Sequence, residues 1–450
     1  MRSLALVVAM SAWSLSAAAT EQRPGELAGV PQTRTAVNAY EQAFDEMLKN
    51  PSDVEATFRF SALAAQHGYY EEAITALERL LVYNSDLPRL KYELGVLYYR
   101  LGSYEVARDY LAQADRASDL PPEVKQQIAG SLEKIDELTA INRINGTLAS
   151  GIRVQSNANA SPSDPDVVAG GLPATLASQF VKRADWNAYV IGNFHDSYDL
   201  QLQSAMTLET DVQFYYAKQH ELSAFDTGVA EVKSGPRFAL TFDDSALVTV
   251  EPYAVASDVL LGEKQYFYAL GAGLELSRAL SERLTAVGSY EARIKRFTDS
   301  SSQPTAVDMD SLVNALQLDL RYQAWTNGEF DGGMSVAREA ARTGFDSNDQ
   351  LTLRLAYSET FELPKALMIG PLVVTPALAR IYASYDKPDP SVDPDERRLT
   401  REWRYILTAR ASIYDGIGAD VQLMRQAVGA SLPNFKYNNT SVTFGLDWNF

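Results

Sequence analysis

Three histidines, scattered singly along the chain, are the side chains best suited to metal binding or proton transfer at neutral pH. They stand at His67, His195 and His220, and no two of them have a metal-ligand spacing. The chain contains no cysteine, which excludes thiolate metal sites and a disulfide framework. We therefore predict that each histidine is a surface or turn residue and that the protein binds no metal or other cofactor.

Motifs for nucleophilic catalysis and phosphate binding are also missing from the sequence. No serine stands in a nucleophile elbow. Gly271 and Gly273 lie in a segment with strand periodicity that lacks the helix start needed to cradle phosphate. The neighbouring carboxylates Asp243 and Asp244 are typical turn residues. These patterns predict that the protein is not an enzyme, and a glycan-modifying barrel is the one exception that they leave open.

Charged residues alternate with apolar ones through much of the C-terminal part. In ERLTAVGSYEARIKRF, residues 282–297, the two sets fall on opposite faces of a strand. In a membrane barrel the charged face must line the lumen, because an arginine or lysine facing lipid near mid-membrane costs roughly 2 to 4 kcal/mol. The predicted lumen-facing residues are Glu291, Arg293, Lys295, Asp319, Arg321, Arg354, Arg404 and Arg410. Two roles remain open for them, transport and structural ion pairing.

Alternation of this kind predicts fourteen strands after residue 144. They are 145–157, 184–195, 200–216, 229–243, 246–257, 264–278, 282–297, 309–325, 329–341, 348–362, 371–385, 398–413, 418–430 and 437–450. Their lengths suit the roughly 9 to 11 residues of a spanning strand, and short turns such as HDSYD near Ser197 and 243–246 alternate with long loops. We predict an antiparallel outer-membrane barrel, with 12 or 16 strands as alternatives.

A helical repeat precedes the predicted barrel. Gly68, Tyr70, Ala73 and Leu77 recur 34 residues later as Gly102, Tyr104, Ala107 and Leu111. This period, with an apolar 3.6-residue rhythm inside it, is typical of the tetratricopeptide helix-turn-helix. Residues 36–49 predict one flanking helix, and a proline-led segment from Pro121 to about Ala140 predicts another.

Repeats of this class bind peptides on a concave face, so the exposed positions of the first helix in each copy are candidate contacts. The predicted groove comprises Glu55, Phe58, Arg89, Tyr92, Tyr99 and Arg100. Aromatic and arginine side chains are common in recognition surfaces. They are also common on ordinary solvated helices, which is the other interpretation.

The chain begins with a segment typical of export. Arg2, an apolar stretch over 4–15 and Ala17-Ala18-Ala19 predict a signal peptide over 1–19. A flexible segment over 20–35, a periplasmic helical domain over 36–141 and a barrel over 145–450 complete the predicted organisation. The formal charge of -18 argues against nucleic acid as a partner.

These features together resemble the surface lipoprotein assembly modifier family. The resemblance is carried by Arg89, Gly102, Tyr104, Pro121 and Val124 in the helical part, and by Asn157, Asn159 and Pro162 where the barrel opens. It implies a 14-stranded outer-membrane barrel whose periplasmic helical domain helps to move lipoproteins to the cell surface. Expected partners are outer-membrane lipid, the barrel assembly machinery and a lipoprotein or other exported protein.

Other functions remain open at this point. An exopolysaccharide export porin with a periplasmic scaffold is the alternative, and a plain diffusion porin leaves the repeats unexplained. The last ten residues, SVTFGLDWNF, predict a closing strand that pairs near Leu148. The alternating side chains Phe444, Leu446, Trp448 and Phe450 also resemble the C-terminal assembly signal of outer-membrane barrels.

Overall fold

The computed structural model of the protein describes residues 34–117, 120–202, 206–241, 247–300, 303–364 and 369–450. The predicted signal peptide, nearly all of the predicted flexible segment and the predicted turn at 243–246 lie outside the described residues. The chain divides into two compact units, and the division falls between Ile141 and Asn142.

The first unit is helical. Its helices are α1 (Arg34–Lys49), α2 (Val54–Gln66), α3 (Tyr70–Tyr83), α4 (Pro88–Arg100), α5 (Tyr104–Asp115) and α6 (Pro122–Thr139). Successive helices pack against each other around two buried clusters, one centred on Phe60, Leu77 and Leu94 and one on Leu111 and Ile128. None of the described helices is long and apolar enough to cross a membrane.

Equivalent glycines form the turns of the two helical pairs. Gly68 joins α2 to α3 and Gly102 joins α4 to α5, and both have a φ of +81°, in the left-handed region that glycine adopts without strain. A third glycine, Gly95, brings α4 close to α5, since a Cβ built there would lie 2.6 Å from Cγ of Leu111. The 34-residue period therefore corresponds to a repeated helix-turn-helix.

The second unit is a closed antiparallel barrel of fourteen strands. These are β1 (Asn142–Gln155), β4 (Asp185–Asp199), β5 (Thr207–Gln219), β6 (Thr227–Thr241), β7 (Leu247–Leu261), β8 (Lys264–Ser281), β9 (Leu284–Phe297), β10 (Ser311–Trp325), β11 (Gly328–Ala341), β12 (Asn348–Phe361), β13 (Leu372–Tyr385), β14 (Leu399–Tyr414), β15 (Ile417–Ala430) and β16 (Tyr437–Asn449). A small hairpin, β2 (Asp166–Ala169) and β3 (Leu172–Thr175), lies in the loop after β1.

Strand β1 pairs with both β4 and β16, which closes the barrel and leaves no free edge. The predicted fold class, helices followed by an antiparallel barrel of about fourteen strands, is confirmed. One predicted turn is wrong: HDSYD at 195–199 is not a turn but the end of β4, and the connection to β5 follows Asp199. His195 and Ser197 alternate with Phe194, Asp196 and Tyr198 and are paired on both sides, so the strand continues despite a turn-like composition.

Loops at the barrel end away from the start of β1, here called the loop end, contact one another. The β2–β3 hairpin follows β1, yet the amide of Gly170 donates to the carbonyl of Ser391 at 3.0 Å, in the loop after β13. Asn434 lies between β15 and β16. Its side-chain oxygen accepts a hydrogen bond from the Val168 amide at 3.0 Å, and its side-chain nitrogen donates to the Val168 carbonyl at 2.9 Å. Val392 and Phe435 are buried beside these contacts. The hairpin is thereby held against two other loops.

Candidate functional site

Inward-facing charges form ion pairs between strands that are not neighbours. Lys295 in β9 lies 3.1 Å from Glu339 in β11, and Arg354 in β12 lies 2.6 Å from Asp319 in β10. Within a barrel wall, side chains of strands that are next but one converge on the concave side and diverge on the convex side. These pairs therefore mark the inner surface.

Four basic side chains on this inner surface each lie between two carboxylates. Each group comes from two or three strands, and each of the eight carboxylates lies 3.5 Å or less from the basic side chain of its group. The groups are His195 with Glu209 and Asp211, Lys233 with Glu251 and Glu275, Arg293 with Glu231 and Glu291, and Arg321 with Glu329 and Asp331. We call them the four acidic clamps. Each clamp with a permanently charged cation has a net negative charge when both carboxylates are ionised.

Arg410 and Arg404 also face inward. The Arg410 guanidinium donates to Asp447 in β16 through Nε at 3.0 Å and Nη2 at 2.6 Å. Arg404 is buried and donates to Glu402, which also accepts from Gln426 at 2.9 Å. With the pairs above, the structure places all eight predicted lumen-facing residues on the inner surface and brings each within bonding distance of an oppositely charged side chain.

Two inner features were missed by the sequence analysis. His195, which we predicted to be a surface or turn histidine, lies inside β4, with Nδ1 2.8 Å from Asp211 and Nε2 3.1 Å from Glu209. Arg153 stacks between two tyrosines, with its guanidinium carbon 5.3 Å from the ring of Tyr189 and 5.9 Å from that of Tyr215. Both residues occupy strand positions that alternate in step with other inward-facing residues. This alternation in the sequence could have assigned both to the inner surface.

The seam between β1 and β16 has a distinct composition. Its register covers nine positions, from Thr147 opposite Asn449 to Gln155 opposite Ser441. Near the middle, Gly151 lies directly opposite Gly445, so neither strand contributes a side chain there. The Tyr189 hydroxyl covers this glycine pair, since it would lie 2.9 Å from a Cβ at Gly151 and 2.7 Å from one at Gly445.

The predicted assembly-signal side chains lie on the outer face of β16 and just after it. Phe444, Leu446, Trp448 and Phe450 are all exposed at the barrel surface. The Phe450 backbone exchanges two hydrogen bonds with Gly146, and its ring lies 5.8 Å from the ring of Phe194 in β4. Outward apolar side chains of this kind recur on the other strands.

Positions of the predicted helical groove differ in exposure. Glu55 and Arg100 are exposed, whereas Tyr92 and Tyr99 are half-buried, and the Tyr92 hydroxyl donates to Gln127 of α6 at 2.9 Å. Phe58 was predicted to be exposed, but only 7% of it is accessible because its ring packs into the core of α1–α4.

Arg89 covers Phe58, with its guanidinium carbon 4.5 Å from the centre of the ring. Glu93 shares helix α4 with Arg89 and Arg100, and burial raises the pKa of its carboxyl despite the attraction of both arginines. The groove therefore presents Arg89 and Arg100 around a half-buried acid.

Among the described residues, no group of three or more His, Cys, Asp or Glu is arranged to hold a metal ion. No family model matches the sequence, and no curated protein matches it.

Solved structures similar to this chain include a secretion chaperone and a porin. The type III secretion translocator chaperone SycD of Yersinia enterocolitica is 18% identical, with 23% of this chain and 72% of that chain covered and a TM-score of 0.22. An anion-selective porin from Comamonas acidovorans is 8% identical over 69% of this chain and 99% of that one, with a TM-score of 0.34. OccAB4 of Acinetobacter baumannii is 10% identical, with 69% of this chain and 98% of that chain covered and a TM-score of 0.32. At these TM-scores, the two-part architecture rests on the chain's own helices and strand pairing.

Proposed function

We propose that the barrel spans a bacterial outer membrane, with the helical unit in the periplasm, and that the protein moves lipoproteins to the cell surface. The outer barrel face supports the membrane location, because its exposed side chains are largely Leu, Val, Ile, Phe, Tyr and Trp. The resemblance to surface lipoprotein assembly modifiers supports the cargo. Barrel assembly machinery and membrane lipid are then further partners, and the proposal includes no catalytic step.

The seam between β1 and β16 is the observation that carries this proposal. A lipoprotein must leave its acyl chains in the membrane, so its path needs a sideways opening between lumen and lipid. The seam's register covers nine positions, and backbone hydrogen bonds between Gly146 and Phe450 and from Ser156 to Thr440 extend it by one position at each end, so its weakness lies in composition and not in length. Cross-strand side-chain pairs stabilise sheets, and the opposed Gly151 and Gly445 contribute none.

Deleting the gene tests the proposed function directly. Intact cells of the deletion strain and its parent are treated with protease, and the cleaved lipoproteins are quantified by mass spectrometry. We expect at least one lipoprotein to be cleaved in the parent, protected in the deletion strain and cleaved again after complementation. Unchanged exposure of every lipoprotein would overturn the proposal.

A disulfide across the seam tests the sideways path. Gln155→Cys with Ser441→Cys joins directly opposed residues of β1 and β16, and the natural chain has no cysteine to interfere. We expect oxidation to block lipoprotein exposure and reduction to restore it. The matched control, Leu423→Cys with Val442→Cys, joins β15 to β16 and leaves the seam free. Equal effects of both disulfides would reject the seam as the path.

Polysaccharide export is the second candidate, and the stacking of Arg153 between Tyr189 and Tyr215 favours it because aromatic rings and arginine suit sugar polymers. Against it, Arg293, Arg354 and Arg410 bind carboxylates instead of presenting free guanidinium groups. In the deletion strain this candidate predicts loss of extracellular polymer with lipoprotein exposure unchanged.

A further inference from the structure

A shallow cavity lies on the outer wall of the barrel, near the loop end. Its volume is about 660 Å³, within the range of roughly 300 to 1,000 Å³ typical of small-molecule sites. Its lining includes Tyr290, Leu316, Val336, Leu351, Tyr382 and Arg401. We call it the wall groove.

These six residues form one continuous row across six strands. Each is directly opposite the next in the register, from Tyr290 in β9 to Arg401 in β14. They occupy the outer face, because their strand neighbours Glu291 and Glu402 take part in the inner ion pairs. The wall groove is thus an apolar strip that ends in a guanidinium group.

The rows on either side of the wall groove differ sharply in polarity. Towards the loop end, the next row contains Asn314, Arg338, Asp349 and Ser384. Away from the loop end, the next row contains Leu318, Met334, Leu353, Arg380 and Trp403. A change from polar to apolar rows, accompanied by tyrosine and tryptophan, marks the depth of lipid headgroups on a membrane barrel.

Two arginines lie on neighbouring strands at one end of the groove. Arg401 lies directly opposite Tyr382, and Arg380 lies two residues before Tyr382 on the same face. The Arg380 guanidinium carbon is 4.6 Å from the centre of the Tyr382 ring and 4.3 Å from that of Trp403, so two aromatic rings hold it. Its Nε atom is buried and has no hydrogen-bond partner among the described residues.

The carboxylates near Arg380 and Arg401 already pair with another arginine. Asp386 and Asp349 both contact Arg338, which binds Asp386 with two hydrogen bonds of 2.7 and 2.5 Å and lowers the pKa of that carboxyl. Among the described residues neither Arg380 nor Arg401 has a carboxylate partner. An exposed guanidinium group at Arg401 and a half-buried one at Arg380, both at headgroup depth, are complementary to phosphate, which arginine binds in a bidentate geometry.

We propose that the wall groove binds a phosphorylated glycolipid of the lipid A type, with its phosphate on Arg380 and Arg401 and an acyl chain along Leu316, Val336 and Leu351. This inference uses the membrane location from the proposed function but not the cargo. It assigns a lipid site to the outer wall, separate from the seam and the inner surface.

Lipid binding by the delipidated full-length protein in detergent tests the assignment. The probes are bisphosphorylated lipid A, the same lipid after phosphatase treatment, and inorganic phosphate, and bound lipid is quantified by native mass spectrometry. We expect bisphosphorylated lipid A to bind about tenfold or more tightly than its dephosphorylated form, since charged hydrogen bonds contribute about 1.5 kcal/mol or more and 1.4 kcal/mol is tenfold. Equal binding of the two lipids overturns the proposal, as does complete displacement by an equal concentration of inorganic phosphate.

Variants locate the site on the wall. R380Q/R401Q is expected to weaken binding about tenfold or more, and Val336→Trp, which fills the groove without changing charge, is expected to weaken it as well. The matched control is Lys218→Gln, another exposed cation near the loop end on the outer face of β5. Each variant must keep the heat-modifiable migration of a folded barrel. Binding unchanged in both groove variants overturns the proposal, and lipoprotein exposure in these strains reports on the proposed function separately.

Discussion

At the scale of single residues, the helical unit depends on the absence of a side chain at one position. A Cβ at Gly95 would lie 2.6 Å from Cγ of Leu111, whereas one at Gly130 in α6 would meet nothing within 4 Å. We expect Gly95→Ala to lower the free energy of unfolding of the helical unit by about 1 to 3 kcal/mol through overpacking.

The same substitution at Gly130 is the control and is expected to stabilise α6 by up to about 1 kcal/mol, because alanine is the better helix former. Thermal unfolding of the full chain, followed by circular dichroism at 222 nm, measures both changes. A Gly95→Ala protein as stable as the natural one would show that α4 and α5 do not pack this closely.

Glu93 makes the stability of the helical unit depend on pH. Burial raises the pKa of its carboxyl, more than Arg89 and Arg100 lower it. A raised folded pKa means that the stabilising contribution is complete below the unfolded pKa of about 4.3 and is lost as pH rises through the folded pKa. We therefore expect Glu93→Gln to raise the unfolding midpoint at pH 7 and to leave it unchanged at pH 4.

Melting curves at the two pH values check this expectation, with the exposed Glu133 replaced by glutamine as the control. The control is expected to change neither midpoint appreciably, because its carboxylate stays in water. An equal shift for Glu93→Gln at pH 4 and pH 7 would contradict a role for the carboxylate charge.

At the scale of elements, the pair formed by Arg410 and Asp447 links β14 to β16 across β15. The Asp447 side chain is only 8% exposed, and its hydrogen bonds come from this arginine and from the Asn449 side chain at 2.9 Å. We expect Arg410→Gln or Asp447→Asn alone to lower barrel stability by about 1 to 3 kcal/mol, because each leaves a partly buried polar group unpaired.

The double variant completes a cycle that isolates the interaction. We expect it to be more stable than the sum of the two single losses predicts, since neither residue then carries a charge that needs a partner. Unfolding in detergent with increasing guanidinium provides the measurement. Strict additivity of the two losses would mean that the two side chains do not interact in solution.

Strand position and strand face could be predicted from the sequence because both depend on a local period. The alternation of Tyr290 and Ile294 with Glu291 and Arg293 gave β9 its bounds to within two residues and its inward face. The partners could not be predicted, since Arg293 meets Glu231 only through the register of four successive strands. His195 was misassigned because turn-forming residues follow it, although pairing with β5 extends the strand.

In the helical unit the turn glycines were predictable and the groove was not. Gly68 and Gly102 need a positive φ, which local sequence indicates, and the repeat period fixes their spacing. The burial of Phe58 depends on the packing of α1 against α2 and on Arg89 from α4, which the isolated α2 sequence does not contain. Contacts of this kind form only when the helices pack together, so the sequence of one helix does not predict them.

At the scale of the whole molecule, the four acidic clamps set the electrostatic character of the barrel interior. In three of them a lysine or arginine, with one positive charge, lies between two carboxylates, for example Lys233 between Glu251 and Glu275. A surface on which acids outnumber bases raises the local concentration of cations and lowers that of anions. Current through the barrel is therefore expected to be carried mainly by cations.

The reversal potential of the purified protein in a planar bilayer, under a tenfold gradient of potassium chloride, measures this selectivity. We expect a reversal potential with the sign that corresponds to potassium permeation. The preference for potassium over chloride should weaken at high salt, because the Debye length shrinks from about 10 Å at 0.1 M to about 3 Å at 1 M. Glu251→Gln with Glu275→Gln leaves Lys233 without ionised partners in its clamp, so the reversal potential should move towards the anion side. Lys218→Gln on the outer wall is the control and should change nothing, because that side chain does not face the lumen. A natural protein that selects anions would show that the clamps do not line the conducting path.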